Sequence, residues 1–338
     1  LSKLANLGVM AVSPTSITRA ASLLREGHLV AFPTETVYGL GADAQNEEAV
    51  KKLYEAKGRP NNHPVIVHLP SPEAISEWCS NVPKEALLLA NAFWPGPLTL
   101  VLPRSEKAKN FITGGQDTVA IRVPSHPIAL ALLKEFGGGV VAPSANRFGK
   151  LSPTRAEHVA SDFGESIAIV LDGGPCQVGI ESTIVNLSGN KPEILRPGMI
   201  TADQIAAQLG ISASDLAPKE KPVIHVPGDL PSHYAPETPL YVVAQEELHS
   251  LIKNSSGLKF AVLAFDDQPE NQPDNQPNKG SAYRWLKASS NPKRYAEALY
   301  ATLRTLDQAG ADRILIEAVP AASEWQGIAD RLQRATQK

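Results

Sequence analysis

Two α/β domains of unequal size are predicted, and three features of the 338-residue sequence predict them. Between residues 15 and 210, helices with one apolar face alternate with short, β-branched, wholly apolar strands, as in a mixed sheet covered on both faces. Prolines then crowd the next stretch, at positions 218, 222, 227, 231, 236 and 239, and forbid continuous helix. Beyond them the alternation of strand and helix resumes. The expected divisions are 1–210 for a large domain, 211–238 for a proline-rich linker and 239–338 for a small open α/β domain.

Ile17, Ala20, Ala21, Leu23 and Leu24 fall on one helical face, and Gly27 can supply a left-handed stop. Leu29-Val-Ala-Phe32 reads as the next strand. Asn46 reads as an N-cap with Glu47 and Glu48 in the positive first turn, Val50, Leu53 and Tyr54 as the buried stripe, and Gly58 as the terminal glycine. Strands are expected at residues 64–69, 98–102, 118–122, 139–142, 167–171 and 183–187. In the second domain they are expected at 240–243, 259–265 and 313–317. Asn291-Pro292 should cap a long helix that buries Tyr295, Leu299, Leu303 and Leu306. The Gln-Pro near-repeat of residues 266–278 reads as a solvated loop.

Composition narrows the function classes. Hydrophobic residues make up 43% and charged residues 20%, as in a soluble globular protein with ample core. A net charge of −3 argues against a broad nucleic-acid surface, while leaving room for a local basic patch. Cys79 and Cys176 fit no disulfide framework or zinc spacing and are expected to be buried, inert thiols. No apolar run approaches the roughly 18 residues of a membrane span, and no secretory signal is visible, so a cytoplasmic protein is expected.

The densest chemistry lies in Pro33-Thr-Glu-Thr-Val-Tyr-Gly-Leu-Gly41, followed by Lys57-Gly-Arg59 and Pro64-Val-Ile-Val-His68. Gly39-Leu-Gly-Ala-Asp-Ala44 matches a loose dinucleotide pattern. Residues 33–38 separate it from the preceding strand, however, and Lys57 and Arg59 stand where an acid belongs. Gly39 and Gly41 are therefore expected to permit close backbone approach in a turn. Lys57 and Arg59 either complement the helix dipole or meet a phosphate, and two cations on one rigid turn suit a triphosphate. No Walker-type loop is present. Ser144-Ala-Asn146 follows a strand end, where open α/β sheets bind ligands, or else forms an ordinary polar turn. Arg122 ends an apolar strand and needs either an internal partner or a ligand. His63 and His68 lack a third ligand at useful spacing, so no metal site is expected.

Taken together, Pro33–Gly41, Lys57-Gly-Arg-Pro60, Pro64–His68, Trp94–Thr99, Ala120–Pro124, Ala142-Pro-Ser-Ala-Asn146, Asp172-Gly-Gly174, Gly179–Ile184 and Leu195-Arg-Pro-Gly198 resemble the YrdC-like family in its long two-domain form. His233-Tyr-Ala-Pro236 is similar to that form's linker signature. The resemblance implies a twisted mixed sheet with an open cavity, followed by a Rossmann-like domain. It implies a nucleotidyltransferase reaction: L-threonine, hydrogencarbonate and ATP give L-threonylcarbamoyladenylate and pyrophosphate. That product serves threonylcarbamoyladenosine formation on tRNA by a downstream transferase machinery. Carried over by position, Lys57 and Arg59 would be catalytic at the triphosphate. Arg59, His63, Thr118, Ser144, Asn146, Ser152, Arg196 and the lid residue Tyr234 would bind ATP. Thr36, His68, Arg122 and Ser182 would hold threonine, and Mg²⁺ would ride on the phosphates. The resemblance also leaves room for weak tRNA contact.

Three positions depart from the family pattern: His63 where asparagine is common, Gly228–His233 where basic and aromatic residues are common, and Ala329-Asp-Arg331 where an Asn-Arg pair is common. Two other readings stay open at this level. One is a double-stranded RNA-binding module, against which the acidic balance weighs. The other is a carbamoyltransferase of the hydrogenase-maturation type, against which the absence of any C-x-x-C pair weighs.

Overall fold

A computed structural model describes residues 8–218, 224–228, 234–255, 257–268 and 281–336. His233 and most of the Gln-Pro repeat lie outside the described residues. The chain forms two compact units. One comprises Leu1–Phe148 and Ser152–Asp229, the other Gly149–Leu151 and Leu230–Lys338.

The first unit is built on ten strands: β1 (Val9–Ala11), β2 (Val30–Pro33), β3 (Tyr38–Asp43), β4 (Ile66–His68), β5 (Leu98–Pro103), β6 (Thr118–Arg122), β7 (Val140–Val141), β8 (Ile169–Asp172), β9 (Thr183–Asn186) and β10 (Glu193–Arg196). They form one mixed sheet in the order β1-β8-β2-β3-β7-β4-β6-β5-β9-β10. Strand β6 runs parallel to β4 and antiparallel to β5, and β5 runs parallel to β9.

One face of this sheet presents Leu40, Val67, Leu100, Ile121, Val141 and Val185 to helices Glu47–Lys57, Lys84–Phe93 and Ala156–Phe163. The helix Glu47–Lys57 has the expected ends. Asn46 accepts a hydrogen bond from the Ala49 amide, and Gly58 adopts φ 63°. The opposite face is divided. Val30, Phe32, Val140, Ala142, Ile169 and Leu171 pack against helices Pro14–Arg25 and Pro127–Phe136. Ile66, Val101, Ala120 and Ile184 instead pack against Val226. Side chains alternate along a strand. His68 therefore shares this second face with Ile66, Arg122 with Ala120, Thr99 with Val101, and Ser182 with Ile184.

Strand β3 corrects one expectation. Gly39 and Gly41 lie within it, not in a turn. Their small size matters nonetheless, because a Cβ on Gly41 would stand 2.9 Å from the Phe32 ring and 3.0 Å from the Val30 carbonyl. Strand β10 carries a register shift between Ile194 and Arg196. Ile194 packs toward the first face. The bulge allows Arg196, two residues later, to reach Ser182 on the second.

The second unit holds β11 (Leu240–Val243), β12 (Lys259–Ala264), β13 (Ser281–Lys287) and β14 (Arg313–Glu317), ordered β11-β14-β12-β13 and parallel throughout. Strand β13 was not foreseen in the sequence. The Asn291 side chain caps helix Pro292–Asp307 by accepting from the Lys293 and Arg294 amides, and Tyr295, Leu299, Leu303 and Leu306 are buried.

Candidate functional site

Arg122 organises one half of the polar face. Its Nη2 donates to Glu35 Oε1 at 2.5 Å, its Nη1 to Thr36 Oγ1 at 3.0 Å and its Nε to the Gly96 carbonyl at 3.3 Å. Both members of the Arg122–Glu35 pair are about 4% exposed. The internal partner that a buried arginine requires is thus Glu35, a residue that sequence reasoning did not single out. The signal was present: an arginine needing a counter-charge, and one carboxylate inside the Thr-Glu-Thr run. What the sequence lacked was any local spacing to join them.

His68 stands in register with Arg122 across the β4–β6 ladder. Its ring meets Phe32 edge to face, with centroids 6.4 Å apart. Burial, then the Arg122 charge, push the imidazole down to about 3, so it is neutral near pH 7. Its Nδ1 is buried and has no hydrogen-bond partner among the described residues.

Ser182 joins this half to its neighbour. Its hydroxyl lies 2.7 Å from Thr99 Oγ1 and accepts from Arg196 Nη2 at 3.1 Å. Arg196 also donates to the Ser182 carbonyl at 3.0 Å and, through Nη1, to the Pro227 carbonyl at 2.8 Å. Ser152, fully buried, donates to Glu181 Oε1 at 2.5 Å.

The remaining cations gather on the turn after the Glu47–Lys57 helix. Lys57 Nζ donates to the carbonyls of Ser144 and Asn146 at 2.5 and 2.6 Å. Burial, with the Arg59 charge second, pulls its pKa well below the ordinary lysine range. The 143–145 turn is zipped onto β3 by Leu40 N–H to Pro143 O and Ala145 N–H to Tyr38 O, each 2.8 Å. Arg59 donates to the Pro64 carbonyl at 2.7 Å and lies over the Phe148 ring, which also meets His63 edge to face. Phe148 is a second contributor that the sequence did not announce.

Thr118 is on the same face as Arg122 but at the other end of β6, roughly 13 Å along the strand. Tyr234 belongs to the second unit, where it adopts φ 59°, is 1% exposed, and packs against Tyr300 and Arg331.

The first unit thus offers arginine donors, hydroxyls and a neutral imidazole on one sheet face and, at the end of the Glu47–Lys57 helix, a cationic, backbone-lined turn. That combination suits a small zwitterion with a hydroxyl beside a polyanion.

Comparison with known proteins bears on this arrangement. Residues 22–198 match the Sua5–YciO–YrdC family model, described as telomere recombination, and residues 200–337 match the model described as threonylcarbamoyl-AMP synthase, C-terminal domain. The chain is 41% identical to threonylcarbamoyl-AMP synthase of Bacillus subtilis over 96% of its own length and 94% of the relative's. It is 40% identical to the Pyrococcus abyssi protein of that name, over 94% and 93%. The crystal structure of P. abyssi Sua5 complexed with L-threonine superposes with a TM-score of 0.86, at 37% identity and 97% coverage of each chain.

Proposed function

This chain belongs to the Sua5–YciO–YrdC family in its two-domain form, and from that premise we propose that it is an L-threonylcarbamoyladenylate synthase. It would join L-threonine, hydrogencarbonate and ATP and release pyrophosphate. The observation that carries the reading is the sheet face that gathers Arg122 with Thr36, in register with His68, and Ser182 with Arg196. The relative solved with L-threonine supports the choice of amino acid.

In this reading Thr36, His68, Arg122 and Ser182 hold threonine. Arg122 supplies N–H donors to the carboxylate, and the neutral His68 accepts from the hydroxyl or the amine. Hydrogencarbonate takes up a proton and gives carbon dioxide and water; the amine, having lost its protons, captures the carbon dioxide as a carbamate. A carbamate oxygen then attacks the α-phosphorus of ATP, and pyrophosphate leaves. Such a step needs in-line positioning and charge neutralisation, not a covalent nucleophile. Arg59, together with the turn fixed by Lys57, supplies that charge at the triphosphate. His63, Thr118, Ser144, Asn146, Ser152 and Arg196 complete the nucleotide site, and Tyr234 serves as a lid residue. Among the described residues no cluster of three His, Cys, Asp or Glu side chains could hold a metal. Mg²⁺ would ride on the phosphates of the ATP substrate.

We assign the chemistry to residues 1–210, the lid to 211–238 and support of the lid to 239–338. The adenylate would pass to a separate transferase acting on tRNA in the cytoplasm. Among the described residues no helix is long and apolar enough to cross a membrane. Isotopically labelled hydrogencarbonate tests the proposal. Label recovered in a threonine-containing adenylate, only with ATP and threonine present, supports it. Binding of double-stranded RNA without such a product contradicts it.

A further inference from the structure

Arg122 carries five N–H groups, and the Glu35, Thr36 and Gly96 contacts use three of them. The other two, one on each terminal nitrogen, have no partner among the described residues. Thr34 gives its proton to the Val37 carbonyl at 2.6 Å, accepts from the Thr36 and Val37 amides at 3.2 Å each, and lies 2.8 Å from the Thr36 hydroxyl. Thr36 accepts from Arg122 with one lone pair and keeps the other. The group thus presents two donors and one acceptor, the complement of an α-carboxylate and an α-amine.

Glu35 sets that polarity. Its Oε1 takes one Arg122 N–H, and its Oε2 accepts from the Ser125 amide at 3.0 Å. Its backbone carbonyl accepts from the Val178 amide at 2.7 Å. Arg122 and Ser125 thus hold the carboxylate and Val178 holds the backbone of Glu35, so the carboxylate fixes one edge of the guanidinium. We propose that Glu35 is the positioning residue that aims Arg122 and Thr36 at the carboxylate and amine of the amino-acid substrate. This inference rests on the threonine reading above. Glu35 acts through Arg122, with each of its two carboxylate oxygens engaged by the protein.

Glu35→Gln keeps the shape but loses the charge. It also places an amide N–H against either the guanidinium or the Ser125 N–H. Glu35→Asp keeps the charge that the buried guanidinium needs but withdraws the carboxylate by one methylene. Steady-state kinetics would compare both with wild type on L-threonine, on L-threoninamide, which lacks the carboxylate, and on ATP. The KM for threonine should rise about tenfold in Glu35→Gln and about threefold in Glu35→Asp, with the KM for ATP within about twofold of wild type. The preference for threonine over threoninamide should fall by similar factors. A general loosening of the fold would move both substrates together. Folded variants with unchanged threonine KM and unchanged preference would overturn the role of Glu35 alone. A wild type whose turnover ignores threonine would overturn the reading beneath it.

Discussion

Lys57 and Ser144 are 87 positions apart in the chain, yet the Lys57 ammonium donates to the Ser144 carbonyl at 2.5 Å. With its second bond, to the Asn146 carbonyl, the lysine pins a polar turn to a helix end. It therefore has a structural task in addition to its expected place at the triphosphate.

Lys57→Met should cost about 1–3 kcal/mol of stability, because two carbonyls lose a charged donor. It should also lower pyrophosphate release by at least about a hundredfold. Arg59→Ala should give a similar loss of turnover, and it removes the bond to the Pro64 carbonyl and the contact with Phe148. Denaturant unfolding and a pyrophosphate assay on both variants check this. Undiminished turnover in both would remove the triphosphate assignment.

His68 makes stability depend on pH. Its folded imidazole sits at about 3 against an ordinary 6.5. As pH falls through 6.5 the unfolded chain binds a proton here, while the folded chain does not until about pH 3. The folded state is thus free of penalty above 6.5, and its stability declines across the window from 6.5 to 3. The slope from this group is up to roughly 1.4 kcal/mol per pH unit. His68→Asn should flatten urea-unfolding free energies across that window relative to wild type. Parallel curves would show that His68 is not the group responsible.

Gly41→Ala should destabilise by about 1–3 kcal/mol, since its Cβ would press on the Phe32 ring, the Val30 carbonyl and, at 3.2 Å, a Val140 methyl. A thermal melt as high as wild type would mean that the two strands relax more freely than their spacing implies.

Residues 224–228 are more than a spacer. Gln116 and His225 exchange hydrogen bonds, Gln116 Nε2 to the His225 carbonyl and the His225 amide to Gln116 Oε1, at 3.0 and 2.7 Å. Val226 fills the apolar end of the polar face, and the Pro227 carbonyl holds Arg196. Ending the chain before Ile224 should therefore lower both stability and nucleotide affinity more than ending it after Gly228. Equal losses in calorimetric melting and ATP titration would argue against this clasp.

Much of the architecture was legible because strong local signals agree with the final packing. Strands 118–122, 240–243 and 313–317 lie where their β-branched runs place them, and Asn46 and Gly58 bound their helix as their side-chain chemistry requires. Strand β3 was obscured because Gly39 and Gly41 carry turn chemistry locally. Their place in a strand comes from long-range pairing: Gly39 lies opposite Phe32 and Gly41 opposite Val30, with residues 143–145 bonded to the other edge. Strand β10 and the aim of Arg196 depend on a bulge, which no periodicity reveals. At the site, residue types at Lys57, His68, Arg122, Ser144 and Ser182 could be read from the sequence. Their partners could not, because Glu35 with Arg122 and Thr99 with Ser182 join over 80 residues apart.

The central claim is that this sheet face couples threonine to adenylyl transfer. Pyrophosphate release, measured with MgATP, hydrogencarbonate and each amino acid in turn, addresses it most directly. Release that requires both threonine and hydrogencarbonate, and that falls away with alanine or valine, is the result expected. Release at the same rate without any amino acid would contradict the account.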